Sequence, residues 1–198
     1  MRYRITSAIL TGFLWIPAFW LVPAGTAASV PPLAERVGFR EWQASVGDKL
    51  LVDTQNNMGY LVHTDGRYFR FPVVTGQRKF VCYIGRCYNA ATPNWSWEAL
   101  SKEVKGDRIT FGPSGRFLRL FKDGSEHTAY GIHEYKYEDK IFSENNRFGS
   151  MGCIIVRKPI MDLMERTFDL NEGALPVLTQ HGVDSMLFAL QEIAQPNP

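Results

Sequence analysis

From Lys49 onward the chain is cut into short apolar segments by clusters of turn residues, and that rhythm commits it to β-structure. Residues 49–54 read as a strand, Gln55-Asn56-Asn57 as a turn, and residues 58–63 as a second strand. Thr64-Asp65-Gly66 then turns the chain into a third strand over 68–74. Alternation through Tyr68, Phe69, Arg70, Phe71 and Pro72 predicts a sheet with one polar face. Further strands are predicted over 108–111, 116–121, 129–133, 153–156 and 175–179, with Asp123-Gly124 as a turn. Residues 76–107 read as an irregular excursion, and 95–104 within it as a short helix with Asn94 as N-cap. Residues 135–148 read as a polar loop. Pro159 at an N1 position opens a helix to residue 168, and a last helix is predicted over 183–194. The expectation is one mostly-β domain, residues 49–180, with a few peripheral helices and a C-terminal helix and tail over 181–198.

Composition narrows the partners. A content of 45% hydrophobic and 13% aromatic residues excludes a disordered chain. The formal charge of +2 includes Arg2 and Arg4, which sit in a segment expected to be removed; without them basic and acidic residues balance. No basic face for nucleic acid and no polybasic membrane patch is expected. Residues 1–28 read as an export signal: Arg2 and Arg4, an uncharged apolar run over 5–23, then the small residues Ala24-Gly25-Thr26-Ala27-Ala28 as a cleavage site. The alternative, a retained anchor, is disfavoured by Pro17 and Pro23 within the run, and membrane contact is expected only through an uncleaved signal. Residues 29–48 read as a linker marked by Pro31-Pro32. The expected location is beyond the cytoplasmic membrane, in a periplasm.

Three cysteines fit that compartment. Cys82 and Cys87 enclose a short loop with Gly85 available for a turn, and an oxidising environment allows them to bond, leaving Cys153 odd. The alternative is that all three are small buried hydrophobes. Four histidines without ligand spacing to Cys82 or Cys87 argue against zinc, and no phosphate loop or nucleotide motif stands out, so no metal and no cofactor is expected. Cys153 ends the turn Ser150-Met151-Gly152-Cys153, twenty residues after His133. A thiol attacks as thiolate, and a nearby imidazole supplies the base that forms it. Gly152 lets a substrate carbonyl approach the backbone closely, and Ser150 either caps the turn or meets the substrate. That pattern points to acyl transfer.

These residues resemble the catalytic domain of the L,D-transpeptidases of the YkuD type. The likeness rests on His133, a loop, and Ser150-Met151-Gly152-Cys153-Ile154. It is extended by Leu51-Val52-Asp53, Tyr60-Leu61-Val62, Asp65-Gly66, Phe71-Pro72-Val73-Val74-Thr75-Gly76 and Ala91-Thr92-Pro93, over residues 49–179. Met151 stands where the family usually has a second histidine, and Ile155 where it usually has Arg or Asn. The resemblance implies a β-sandwich-like fold in which Cys153 attacks the L-centre carbonyl of a diamino acid in a peptidoglycan stem peptide, releasing a D-amino acid from a thioester. His133 is then the base, oriented by the backbone carbonyl of Glu134, and the N–H groups of Gly152 and Cys153 are the expected oxyanion donors. Tyr130, Trp95 and Trp97 are expected to wall the cleft, with Arg157 as a further substrate contact. Three readings follow: a transpeptidase joining stems or attaching a wall protein, a hydrolase on the same scaffold, and a non-catalytic wall-binding module.

Overall fold

The computed structural model describes residues 35–83, 85–143 and 147–183. The predicted export signal and the predicted helix beyond Val183 lie outside them. In chain order the strands and helices are β1 (Glu35–Arg36), β2 (Lys49–Asp53), β3 (Met58–Val62), β4 (Arg67–Pro72), β5 (Thr75–Gly76), β6 (Phe80–Tyr83), β7 (Arg86–Asn89) and β8 (Ser96–Val104). There follow β9 (Arg116–Lys122), β10 (Glu126–His133), α1 (Glu138–Ser143), β11 (Phe148–Ser150), β12 (Ile154–Ile155), α2 (Lys158–Leu170) and β13 (Leu175–Gln180). The fold is mostly β, as expected. Nine strands form one sheet in the order β1-β4-β3-β2-β13-β8-β9-β10-β12.

A large apolar core, with a smaller second cluster of Leu51, Tyr60 and Val62, explains why these segments pair. Alternate residues of the strands, among them Leu50, Val52, Phe71, Trp97, Leu118, Leu120, Ile132 and Ile154, join the apolar stripe of α2, Ile160, Met161, Met164 and Phe168. That stripe recurs at three and four residues, so α2 covers the sheet with one face. The two ends of the sheet then meet. Val74, just past β4, exchanges both backbone hydrogen bonds with Ile155 of β12, at 2.9 and 2.8 Å, and β5 pairs with β11. This closure makes the molecule sandwich-like and brings residues 74–76 beside the cysteine turn.

Four expectations change. Where a helix over 95–104 was expected, Ser96–Val104 is strand: Trp97 and Ala99 are buried while Ser96 and Leu100 are exposed, and pairing with both β9 and β13 overrides helix-forming Glu98, Ala99, Leu100 and Lys102. Asn94 therefore caps no helix. Residues 108–111 form a turn, because Asp107 Oδ1 accepts the N–H groups of Ile109 and Thr110 at 2.9 and 3.1 Å and so holds the chain curled. The polar loop after His133 contains α1. Finally, residues 35–48 are not a bare linker. β1 pairs with β4, and Trp42 enters the core stacked on the buried His63, whose Nδ1 meets Asp48.

Candidate active site

Cys153 leaves the turn at the start of β12 as a half-buried free thiol. The turn is braced from within: Ser150 Oγ donates to the Cys153 carbonyl at 2.6 Å and accepts from Gly152 N–H at 3.1 Å. Ser150 thus caps the turn. The same bond spends the Gly152 N–H internally, so Gly152 is not the oxyanion donor expected of it here, and the Cys153 N–H remains as the turn's candidate. Gly152 has φ +116, and a Cβ there would sit 2.5 Å from Tyr130 Cε1. No other residue fits under that ring. From outside, Thr92 Oγ1 donates to the Gly152 carbonyl at 2.9 Å and accepts from Gly76 N–H at 2.9 Å. Thr92 is therefore a pin between the sheet closure and the cysteine turn. The Thr-Pro resemblance pointed to its position and not to this role.

His133 ends β10 and is 3% exposed. Parallel pairing sets Ile132 beside Ile154 and His133 beside Ile155, so Gly131 falls beside Cys153 and its backbone hydrogen-bonds the sulfur. The His133 side chain lies on the same face, two residues on. Its Nδ1 is 2.6 Å from the Glu134 carbonyl oxygen. A carbonyl only accepts, so Nδ1 carries the hydrogen and Nε2 keeps the basic lone pair. Phe111 and Phe117 pack on the ring at 5.0 and 5.9 Å between centroids. Burial lowers the His133 pKa, opposed by backbone contacts from Glu134 and Thr110. Burial likewise pushes the Cys153 thiol up to about 11, opposed by the Gly131 hydrogen bond and by the charges of Arg119 and Lys105. The resting pair is thus neutral thiol and neutral imidazole, which suits proton transfer during attack rather than a stored thiolate.

The backbone hydrogen-bond acceptor at Glu134 is itself held. The Glu134 side chain is buried and pairs with Arg116, which also reaches Asp162 at 2.7 Å and Glu165 at 2.8 Å on α2. The expected cleft residues separate. Tyr130 lies over Gly152 and is coupled electrostatically to Cys153, so it borders the site. Trp97 is 1% exposed and donates Nε1–H to Thr179 Oγ1; it belongs to the core rather than the cleft. Trp95 is half-exposed, 6.4 Å from the Tyr130 ring, with Lys122 over its face. Arg157 turns away: it pairs with Asp139 at 2.9 Å and stacks on Phe142, fastening α1 to the start of α2. Met151 Sδ is 3.5 Å from Gln77 Nε2. Cys82 and Cys87, opposite each other on β6 and β7, are disulfide-bonded. A cavity of about 520 Å³ between β2, β8 and β13 shares no residue with the cysteine turn.

The family model of the YkuD L,D-transpeptidase catalytic domain matches residues 47–168, more than half the chain, and contains every residue of this site. The chain belongs to the YkuD L,D-transpeptidase family. Among solved structures, this family member is similar to the L,D-transpeptidase of Xylanimonas cellulosilytica, with a TM-score of 0.50 and 18% identity over 70% of this chain and 63% of that one. It is also similar to the helical cell shape determining protein Pgp2 of Campylobacter jejuni, with a TM-score of 0.45 and 18% identity over 72% and 52% of the two chains. The catalytic domain of an Enterococcus faecium L,D-transpeptidase gives a TM-score of 0.41 and 20% identity over 67% and 96%. At these identities the likeness concerns the fold. The chain spans less than two thirds of the Xylanimonas structure's length. No curated protein sequence matches it.

Proposed function

We propose that this YkuD-family chain is a cysteine acyltransferase acting on peptidoglycan stem peptides. The observation that carries the reading is the His133 Nδ1–Glu134 carbonyl bond of 2.6 Å, which leaves Nε2 as a base on the face that also holds the Cys153 sulfur. Cys153 attacks the L-centre carbonyl of the stem diamino acid while its proton passes to His133 Nε2. The tetrahedral oxyanion collapses to a thioester, and the terminal D-amino acid leaves with the proton that His133 returns. An amine from a second stem or from a wall protein, or water, then cleaves the thioester. The signal-like N-terminus and the disulfide support an exported, periplasmic site of action.

Intact mass of the purified chain after incubation with a tetrapeptide muropeptide, beside Cys153→Ala, tests this. An adduct or release of the terminal D-amino acid in the wild type alone is the expected result. The second product then separates transfer from hydrolysis. Equal behaviour of wild type and variant would leave the wall-binding module as the better account.

A further inference from the structure

One face of the sheet gathers charges that the acyl-transfer scheme above does not use. Arg119 on β9 stands directly opposite Gly131 on β10, the residue whose backbone contacts the Cys153 sulfur. Its guanidinium donates through Nη1 to the Thr128 carbonyl at 2.6 Å, and Cys153 Sγ lies 4.0 Å from the next carbonyl along, that of Ala129. Glu103 on β8 receives Nε and Nη2 of Arg119 in a fork, and also Lys105 Nζ. Lys105 and Arg119 both lie over the Phe117 ring, at 4.8 and 5.1 Å, and that ring packs on His133.

A bulge produces this arrangement. Up to Ala99 the odd-numbered side chains of β8 face the core, but the register slips between Ala99 and Ser101. Beyond it, Glu103 pairs with Phe117 and shares its face, while Lys102 shares the face of core residue Leu118 and reaches α2 through Asp169. One inserted residue thus moves Glu103 and Lys105 to the side of the sheet that carries the thiol.

We propose that the Glu103–Lys105–Arg119 cluster, with its net single positive charge, sets the nucleophilicity of Cys153, Arg119 acting as the positioning cation that stabilises the sulfur anion as its proton leaves for His133. This rests on the reading of Cys153 as the nucleophile. A half-buried thiol served by a neutral imidazole has no imidazolium beside it until the proton has moved, so the field opposing its desolvation must come from fixed charge. Arg119 is nearly buried, doubly tied to Glu103 and tied to β10, so it presents charge rather than a loose donor. Among the described residues, the other ionisable group coupled to the sulfur is Tyr130 from β10, with Tyr88 of β7 beside it, while His133 sits two residues along β10 on the same face.

The test is the pH profile of Cys153 alkylation by iodoacetamide on the full chain. Cys82 and Cys87 are bonded, so of three cysteines only Cys153 reports. The rate follows the thiolate fraction. Arg119→Gln takes the cluster from positive to neutral and is expected to slow alkylation about three- to tenfold at pH 8, moving the profile up. Glu103→Gln makes it more positive and is expected to speed alkylation about threefold. Arg119→Lys keeps the charge and stays within about twofold of wild type. Both neutralising substitutions break the same ion pair, so a merely structural role moves them in one direction. A shared direction, or no shift in either, overturns the proposal. Lys105→Gln, half-exposed, follows Arg119→Gln in sign and serves if that variant fails to fold. Because alkylation needs no stem peptide, a wild type that does not turn over muropeptide counts against the proposed function and leaves this profile readable.

Discussion

At the scale of single residues the site is specified by a few backbone demands. Gly152 is the sharpest. Gly152→Ala forces a side chain into a left-handed backbone and onto Tyr130; we expect a loss of about 1–3 kcal/mol in denaturant unfolding, together with loss of muropeptide turnover. His133 gives a pH dependence of definite sign. Its pKa is lowered in the folded chain, so as pH falls the unfolded chain takes up the proton first. The stability associated with the neutral ring is full above about pH 6.5 and is lost progressively below it. Unfolding free energy measured from about pH 7 to pH 5 should fall more steeply for wild type than for His133→Gln. Cys153 and His133 stood out in the sequence because a thiol and an imidazole announce chemistry, whereas the Glu134 carbonyl, which any residue could supply, was indicated only by the family resemblance. Thr92, Arg119 and the spent N–H of Gly152 were not legible there. Their roles depend on which strand lies across from which, and a lone threonine or arginine carries no sign of its neighbour.

At the scale of elements, β8 shows how pairing overrides local composition. Residues 95–104 have helix-forming composition, yet they lie between β9 and β13, and two ladders of hydrogen bonds outweigh an intrinsic preference worth tenths of a kcal/mol per residue. The alternation that would have revealed the strand is interrupted at Leu100, where the register slips. By contrast β2, β3 and β4 were readable because their turns are short and polar, with β2 and β3 as short, mostly apolar runs and β4 as an alternating one. Two elements carry predictions. The β6–β7 hairpin is exposed at Phe80 and Tyr83 and stapled by Cys82–Cys87; reduction should speed tryptic cleavage at Arg86 while leaving the far-ultraviolet circular dichroism unchanged. α2 is tied to β10 through Arg116, and Arg116→Met strands the buried Glu134 carboxylate. We expect a loss of about 3–5 kcal/mol, read as a lower thermal midpoint. Activity should fall further than stability explains, since the His133 acceptor at Glu134 loosens.

At the scale of the whole molecule, one large core and one seam decide the architecture. The mostly-β character was evident from the turn rhythm alone, but the closure of Val74 on Ile155 was not, because nothing in either segment marks it as the other's partner. Val74→Pro removes a donor from that seam; we expect slower muropeptide turnover with the core largely intact, checked by comparing turnover with the near-ultraviolet circular dichroism. The stapled hairpin bears on how three cysteines pair wherever conditions are oxidising. Three thiols in an unfolded chain can pair in three ways, and two of those would consume Cys153. Cys82 and Cys87 are only 5 residues apart, whereas Cys153 can join either only through a loop more than ten times longer. Loop closure alone favours the short bridge by about 2 kcal/mol. The Cys153 sulfur is left over by the statistics of the unfolded chain, so it stays reduced before any fold exists to shield it.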